Sequence, residues 1–186
     1  MTWYSITPTW EGNAEQIRQG LPFNLLAPIW QMFLLGDGAP TRHLQLLTQT
    51  PIVVDVVAMT EIGDDHDGAP PAISLIPAPR IRRQIWLRSA TNGEVYSHAT
   101  SWWSAAAIAD HLRDPSLPIW ASLNQRQAEL YRDLRGIRKG YGAAFTGEQE
   151  LWSRDYLLWQ GGRPLTLIYE VYAPILAKYL GPSQLS

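Results

Sequence analysis

None of the 186 positions holds a cysteine. That excludes disulfides, thiol nucleophiles, thiolate-bound metals and iron–sulfur clusters, and it fits a reduced compartment. Charge of one sign is missing as well: 15 basic and 17 acidic residues are mixed along the chain, for a net charge of −2. With no basic stripe to meet a phosphate backbone, nucleic acid is not an expected partner. Long apolar runs are also lacking. The longest, from Leu25 to Leu35, contains Pro28 and Gln31 and falls well short of the ~20 residues that span a bilayer. The N-terminus, Met1-Thr2-Trp3-Tyr4-Ser5, shows no basic region followed by an apolar stretch. Neither a signal peptide nor membrane insertion is expected, and the cytoplasm is the default location.

Phenylalanine is scarce, three residues against nine Trp and eight Tyr. Trp and Tyr join a large apolar body to a polar tip, which suits an interior that also holds a polar ligand, and equally a Trp-rich core with no ligand. With 46% hydrophobic and 17% charged residues, the chain reads as globular rather than disordered. The absence of repeats, linkers and low-complexity tracts points to one domain.

Residues 22–35 read as helical, in two short pieces divided at Pro28. Pro40 is placed to open a second helix through Leu44, Leu46 and Leu47. The β-branched run Ile52 to Met59 reads as a strand, and the turn-rich, acidic residues 63–79 as a surface loop. RIRRQIWLR and EVYSHATSWW flank Thr91-Asn92-Gly93, and Asn-Gly is a preferred centre for a tight hairpin. Ala105 to Leu112 is expected as a short helix. After the break at 114–118, an amphipathic helix carrying Ile119, Leu123, Leu130 and Leu134 is expected, with Gly136, Gly140 and Gly142 loosening the chain behind it. Strands at about 149–160 and 164–172 flank Gly161-Gly162, and a last helix runs from Pro174 to Leu180. The order of elements argues for an α+β fold with an antiparallel sheet.

Strand alternation isolates two charges. On the first hairpin arm Ile81, Arg83, Ile85 and Leu87 share one face, while Arg80, Arg82, Gln84, Trp86 and Arg88 share what reads as the wet face. Arg83 is thus a guanidinium on an apolar side, where it needs an anion or a row of acceptors. Its fork matches a carboxylate, so a ligand and an internal ion pair are both open. Glu170 stands in a two-sided apolar strand, sharing its face with Thr166, Ile168 and Tyr172, and must be paired or hold a raised pKa. The two residues either pair with each other or grip opposite ends of a small molecule. A two-residue turn would put Trp102 opposite Arg83 and Thr100 opposite Ile85; a one-residue bulge would reverse this.

Other signals carry less. Asp64-Asp65-His66-Asp67 lacks the ligand spacing of a calcium loop or a zinc site and reads as a solvated acidic loop, so no metal is expected. The three glycines after residue 135 make no phosphate-binding fingerprint, and no nucleophile elbow accompanies the few histidines.

Four segments in order resemble the chorismate lyase family, especially its diverged, cyanobacterial-type branch: LLGDGAPTRHLQ with TPIVVDVV, then RRQIWLRSATNGEVYSHATSWW, LPIWASL and GGRPLTLIYEVYAP. Together they run from about Leu34 to Pro174. The resemblance implies an antiparallel sheet with helices packed on it and an internal ligand cavity covered by helical flaps, around Gly36–Leu47 and Pro115–Leu123. It implies that chorismate loses pyruvate to leave 4-hydroxybenzoate, with no cofactor, in a monomer serving quinone biosynthesis. Arg83 and Glu170 match the arginine and glutamate that hold the aromatic acid. Ile119 and Ala39 match flap positions, and Ala99 matches a small residue against which the ligand packs. Ala39 replaces a larger side chain and Gln84 an acidic neighbour of the arginine. The same fold serves effector-binding domains that do no chemistry, so a small-molecule sensor stays open; the first 35 residues are too short and too acidic for the DNA-binding domain such regulators carry. A purely structural domain would show Arg83 clasping Glu170 and no cavity.

Overall fold

The computed structural model describes residues 3–22, 24–112 and 130–184. Seven strands make one antiparallel sheet: β1 (Thr7–Asn13), β2 (Ile52–Gly63), β3 (Arg80–Ser89), β4 (Val95–Ser104), β5 (Leu130–Gly142), β6 (Gln149–Gln160) and β7 (Arg163–Tyr172). Their order in space is β1-β5-β6-β7-β4-β3-β2. The two-sided apolar β7 is therefore central, as its composition requires. Among the described residues, helices α1 (Ala14–Arg18), α2 (Pro28–Leu35), α3 (Pro40–Thr48), α4 (Ala105–His111) and α5 (Ala177–Leu180) join the sheet in an α+β fold. Pro28 and Pro40 each occupy a first turn, where a missing N–H costs nothing. Pro28 thus starts a helix instead of dividing one. No helix among the described residues is long and apolar enough to cross a membrane.

One sheet face packs Ile85, Leu87, Ala99 and Tyr172 under Trp30, Phe33, Leu34 and Leu44 from α2 and α3. The other face is covered too, which corrects the expectation of a wet side. Ile6, Ile73 and Ile76 bury Trp102, Leu157, Leu167 and Val171 there. Arg80, Arg82 and Gln84 are consequently only 7%, 4% and 1% exposed. The acidic segment expected as a solvated loop supplies partners for the two arginines. Asp67 pairs with Arg82 at 2.6 Å and accepts from the Trp102 indole at 3.0 Å, while Arg80 donates to the Ile76 and Asp64 carbonyls.

Leu130 and Leu134 open a strand, not the end of a helix. A spacing of four suits a helix turn, but it equally leaves two residues on one strand face. Ile119 and Leu123 lie outside the described residues. The glycines expected to loosen the chain sit inside β5. A Cβ on Gly140 would lie 2.1 Å from the Thr7 carbonyl oxygen, so glycine is what lets β1 pair there. β1 itself gives little sequence signal, being an exposed edge strand that contains Pro8.

The hairpin decides the site. Its loop is longer than two residues, with Ser89 N–H donating to Glu94 O and Gly93 at φ +75°. A bulge at Leu87/Arg88 shifts the register, so Arg83 faces Ser101 and Ile85 faces Ala99. His98, Thr100 and Trp102 turn to the opposite side. There His98 is fully buried between Tyr4 and Trp86, ring centroids 4.8 and 4.6 Å away. Neither ring nitrogen has a hydrogen-bond partner, and burial lowers its pKa to about 4.

Between pH 6.5 and about 4 the unfolded chain takes up a proton on His98 that the folded chain refuses, so stability falls as pH drops through that window. The whole shift corresponds to about 3 kcal/mol. His98→Leu should flatten urea-unfolding stability between pH 7 and pH 4; an unchanged slope would refute this account of His98.

Candidate functional site

Between the sheet and the start of α3 lies a mostly apolar cavity. The space open to water centres is about 60 Å³, well above the ~10–15 Å³ that one water requires. Alternation brings its walls together: Arg83, Ile85 and Leu87 from β3, Ala99 and Ser101 from β4, Ile168 and Glu170 from β7, Tyr156 and Leu158 from β6, and Leu130 and Arg132 from β5. Ala39, Pro40 and Thr41 close it from above. Arg83, Glu170, Ala39 and Ala99 thus share one cavity. Ile119 lies outside the described residues.

Arg83 is 1% exposed, and burial pushes its guanidinium down to about 10, which leaves it cationic at neutral pH. Glu170 is 2% exposed, yet its counter-ion is Arg154, whose Nε donates to Oε2 at 2.8 Å. The Tyr172 hydroxyl also donates to Oε2, and the Tyr156 hydroxyl donates to Oε1 at 2.9 Å. Burial alone would raise this carboxyl. Arg154 and the Tyr172 hydroxyl outweigh that and bring it below the ordinary value. Glu170 is therefore an ionised acceptor, with one oxygen carrying a single hydrogen bond and able to accept another.

The register fixes the spacing of the two charges. Arg83 lies level with Ser101 and Ile168, and Glu170 with Ala99 and Ile85. Two strand spacings and a two-residue offset separate their Cα atoms by about 12 Å.

Sequence reasoning missed Arg154. It is 1% exposed, and its Nη1 reaches the Leu34 carbonyl at 2.6 Å and those of Phe33 and Gly36 at 3.4 Å. These are carbonyls at the end of α2, which lack helical partners of their own. The signal was available: Trp152, Arg154, Tyr156 and Leu158 alternate on one strand face, and the test that singled out Arg83 applies there unchanged. Arg132 was hidden by the helical reading of its segment. Its guanidinium lies 4.7 Å above the Tyr156 ring and donates to the Asp37 and Gly38 carbonyls. Among the described residues no cluster of His, Asp and Glu could hold a metal.

The α+β sheet encloses a small, mostly apolar cavity with a cation and an anion at separated points. The fold is similar to that of PhnF from Mycobacterium smegmatis, at TM-score 0.57 and 12% identity, covering 75% of this chain and 65% of that one. This chain therefore spans just under two thirds of PhnF. The effector domain of PhnF matches at TM-score 0.54 and 12% identity, covering 74% and 89%. Sequence is more specific. Residues 34–180 match the family described as Rv2949c-like, chorismate pyruvate-lyase Rv2949c-like, and the chain belongs to that family. The ycf21 protein of Cyanophora paradoxa is 35% identical over 171 residues, 90% of this chain and 88% of its own. That of Porphyra purpurea is 28% identical over 155 residues, 81% and 84% of the two chains.

Removing Arg154 strands a buried carboxylate and three carbonyls. Arg154→Met should cost about 3–5 kcal/mol in urea unfolding, and adding Glu170→Leu should recover much of it. Because the folded carboxyl titrates below its ordinary value of 4.5, its stabilisation is present above that value and is lost as pH falls through the lowered one. Glu170→Gln should lack that acid limb. A single Arg154→Met variant as stable as the parent would refute the assignment.

Proposed function

We propose that this protein is a chorismate pyruvate-lyase that converts chorismate to 4-hydroxybenzoate and pyruvate. The observation that carries the reading is the separation of Arg83 from an independently paired Glu170 across one apolar cavity. Arg83 binds the ring carboxylate through its fork. Glu170, held ionised by Arg154, accepts a hydrogen bond from the ring hydroxyl that the product keeps. Ala39 and Ala99 leave room for the ring, and Ile119 is a further substrate-binding residue.

In the reaction the C4 hydrogen passes to the enolpyruvyl methylene carbon within the substrate. The ether bond at C3 breaks, its oxygen becomes the keto oxygen of pyruvate, and a C3–C4 double bond completes the aromatic ring. Atoms and charge balance with no cofactor or metal, so the protein contributes conformation and electrostatics. Product leaves when the segment around Gly36–Leu47, which carries Ala39, Pro40 and Thr41 at the cavity, opens, and this makes release slow. The chain acts as a single-domain cytoplasmic monomer, supplying 4-hydroxybenzoate to quinone biosynthesis, plastoquinone in a photosynthetic source.

The likeness to the PhnF effector domain favours a second reading, a sensor that binds an aromatic acid without chemistry. Incubating purified protein with chorismate separates the two: the lyase yields 4-hydroxybenzoate and pyruvate in equal amounts, the sensor neither. Arg83→Ala should weaken 4-hydroxybenzoate binding by about 2–5 kcal/mol with near-UV circular dichroism preserved. Unchanged product affinity in that variant would count against both readings of Arg83.

A further inference from the structure

Two guanidiniums line the cavity, and they stand far apart. Arg83, Arg132 and Glu170 all line it, and the charge of Glu170 is met by Arg154 from behind. Arg132 enters from β5, four strand spacings from β3 or about 19 Å across the sheet, so the two lining guanidiniums face the cavity from opposite sides. Among the described residues no carboxylate forms an ion pair with Arg132. Its Nη1 is held by the Gly38 carbonyl at 2.6 Å and by that of Asp37, while its buried Nε has no hydrogen-bond partner. Stacking over Tyr156 fixes the plane of the fork, and Tyr156 is itself hydrogen-bonded to Glu170. A fixed cation at the cavity wall with a buried donor to spare is built to receive an anion.

We propose that Arg132 is a second anion-binding residue of this cavity, which makes its ligand a dianion. The inference rests on the lyase reading and deepens it. Chorismate carries two carboxylates, one on the ring and one on the enolpyruvyl ether, and Arg132 takes the second while Arg83 takes the first. Loss of pyruvate leaves 4-hydroxybenzoate with a single carboxylate, so Arg132 distinguishes substrate from product. It does so beside the Asp37 and Gly38 carbonyls, where the segment over the cavity is anchored.

The test uses ligands that cannot react. Titration calorimetry compares 3-(carboxymethoxy)-4-hydroxybenzoate, a stable dianion with an ether-borne carboxylate, with its neutral-armed amide and with 4-hydroxybenzoate. In the parent protein the dianion should bind at least tenfold more tightly than the amide. Arg132→Gln keeps a donor for the carbonyls but removes the charge. It should lose tenfold or more on the dianion while holding 4-hydroxybenzoate within threefold, and Arg132→Lys should restore most of the loss. Equal affinity of the parent for dianion and amide overturns the proposal, whether or not the glutamine variant folds. So does a parallel loss on all ligands, which would assign Arg132 to holding residues 37–38 only. The outcomes stay distinct from those of the lyase reading. Failure of the parent to turn over chorismate sinks that reading and leaves the charge discrimination measurable, whereas turnover without discrimination sinks only Arg132.

Discussion

The ion pair of Arg154 with Glu170 is withdrawn from water on both sides, with side chains 1% and 3% exposed. Taking two such ions into the interior costs several kcal/mol each, and their attraction offsets this only when the remaining donors and acceptors are matched. Here they are matched from three directions. Tyr156 and Tyr172 donate to the carboxylate, and the backbone of residues 33–36 accepts from the guanidinium. One arginine therefore performs two tasks. It keeps Glu170 ionised at the cavity wall, and it ties the end of α2 to β6, which sets where Ala39 and Pro40 meet the cavity.

A pair of that kind needs a rigid frame, and the second face of the sheet provides it. Had β3 carried water on the side of Arg82 and Gln84, the hairpin would have been a half-solvated element with a soft register. Instead Asp67 reaches under the sheet to hold Arg82 and Trp102 together, and Ile73 and Ile76 seal the surface. Burial on both faces makes the register costly to change, since a slip by one residue would exchange Arg83 for Arg82 inside the cavity.

Arg83 and Glu170 were legible in the sequence because alternation marks a charge among apolar neighbours without any knowledge of the partner strands. Arg154 obeys the same rule and was legible in principle. The bulge was not, because Asn92-Gly93 indicates a turn but not how many residues the loop closes over; only the pairing shows that Ala99 and Ser101 share a face with Arg83. Arg132 was concealed by Leu130 and Leu134, whose spacing satisfies two periodicities at once. The cover over β3 was illegible for a different reason. An acidic, proline-rich segment looks solvated until the arginines it binds are known to lie beneath it.

One fold accommodates either binding or catalysis, and the distinction rests on charge rather than architecture. A sensor needs only that its ligand be held. A lyase acting on an enolpyruvyl ether must also fix the conformation in which the migrating hydrogen meets the methylene carbon, and a ligand with two separated carboxylates is oriented when each meets its own cation. Holding only the ring carboxylate leaves the ether arm to rotate. Arg83 on β3 and Arg132 on β5 stand at opposite sides of the cavity, with Glu170 between them in the order of strands. Three fixed charges that are not in line constrain position and rotation together, and that is the demand which chemistry adds to binding.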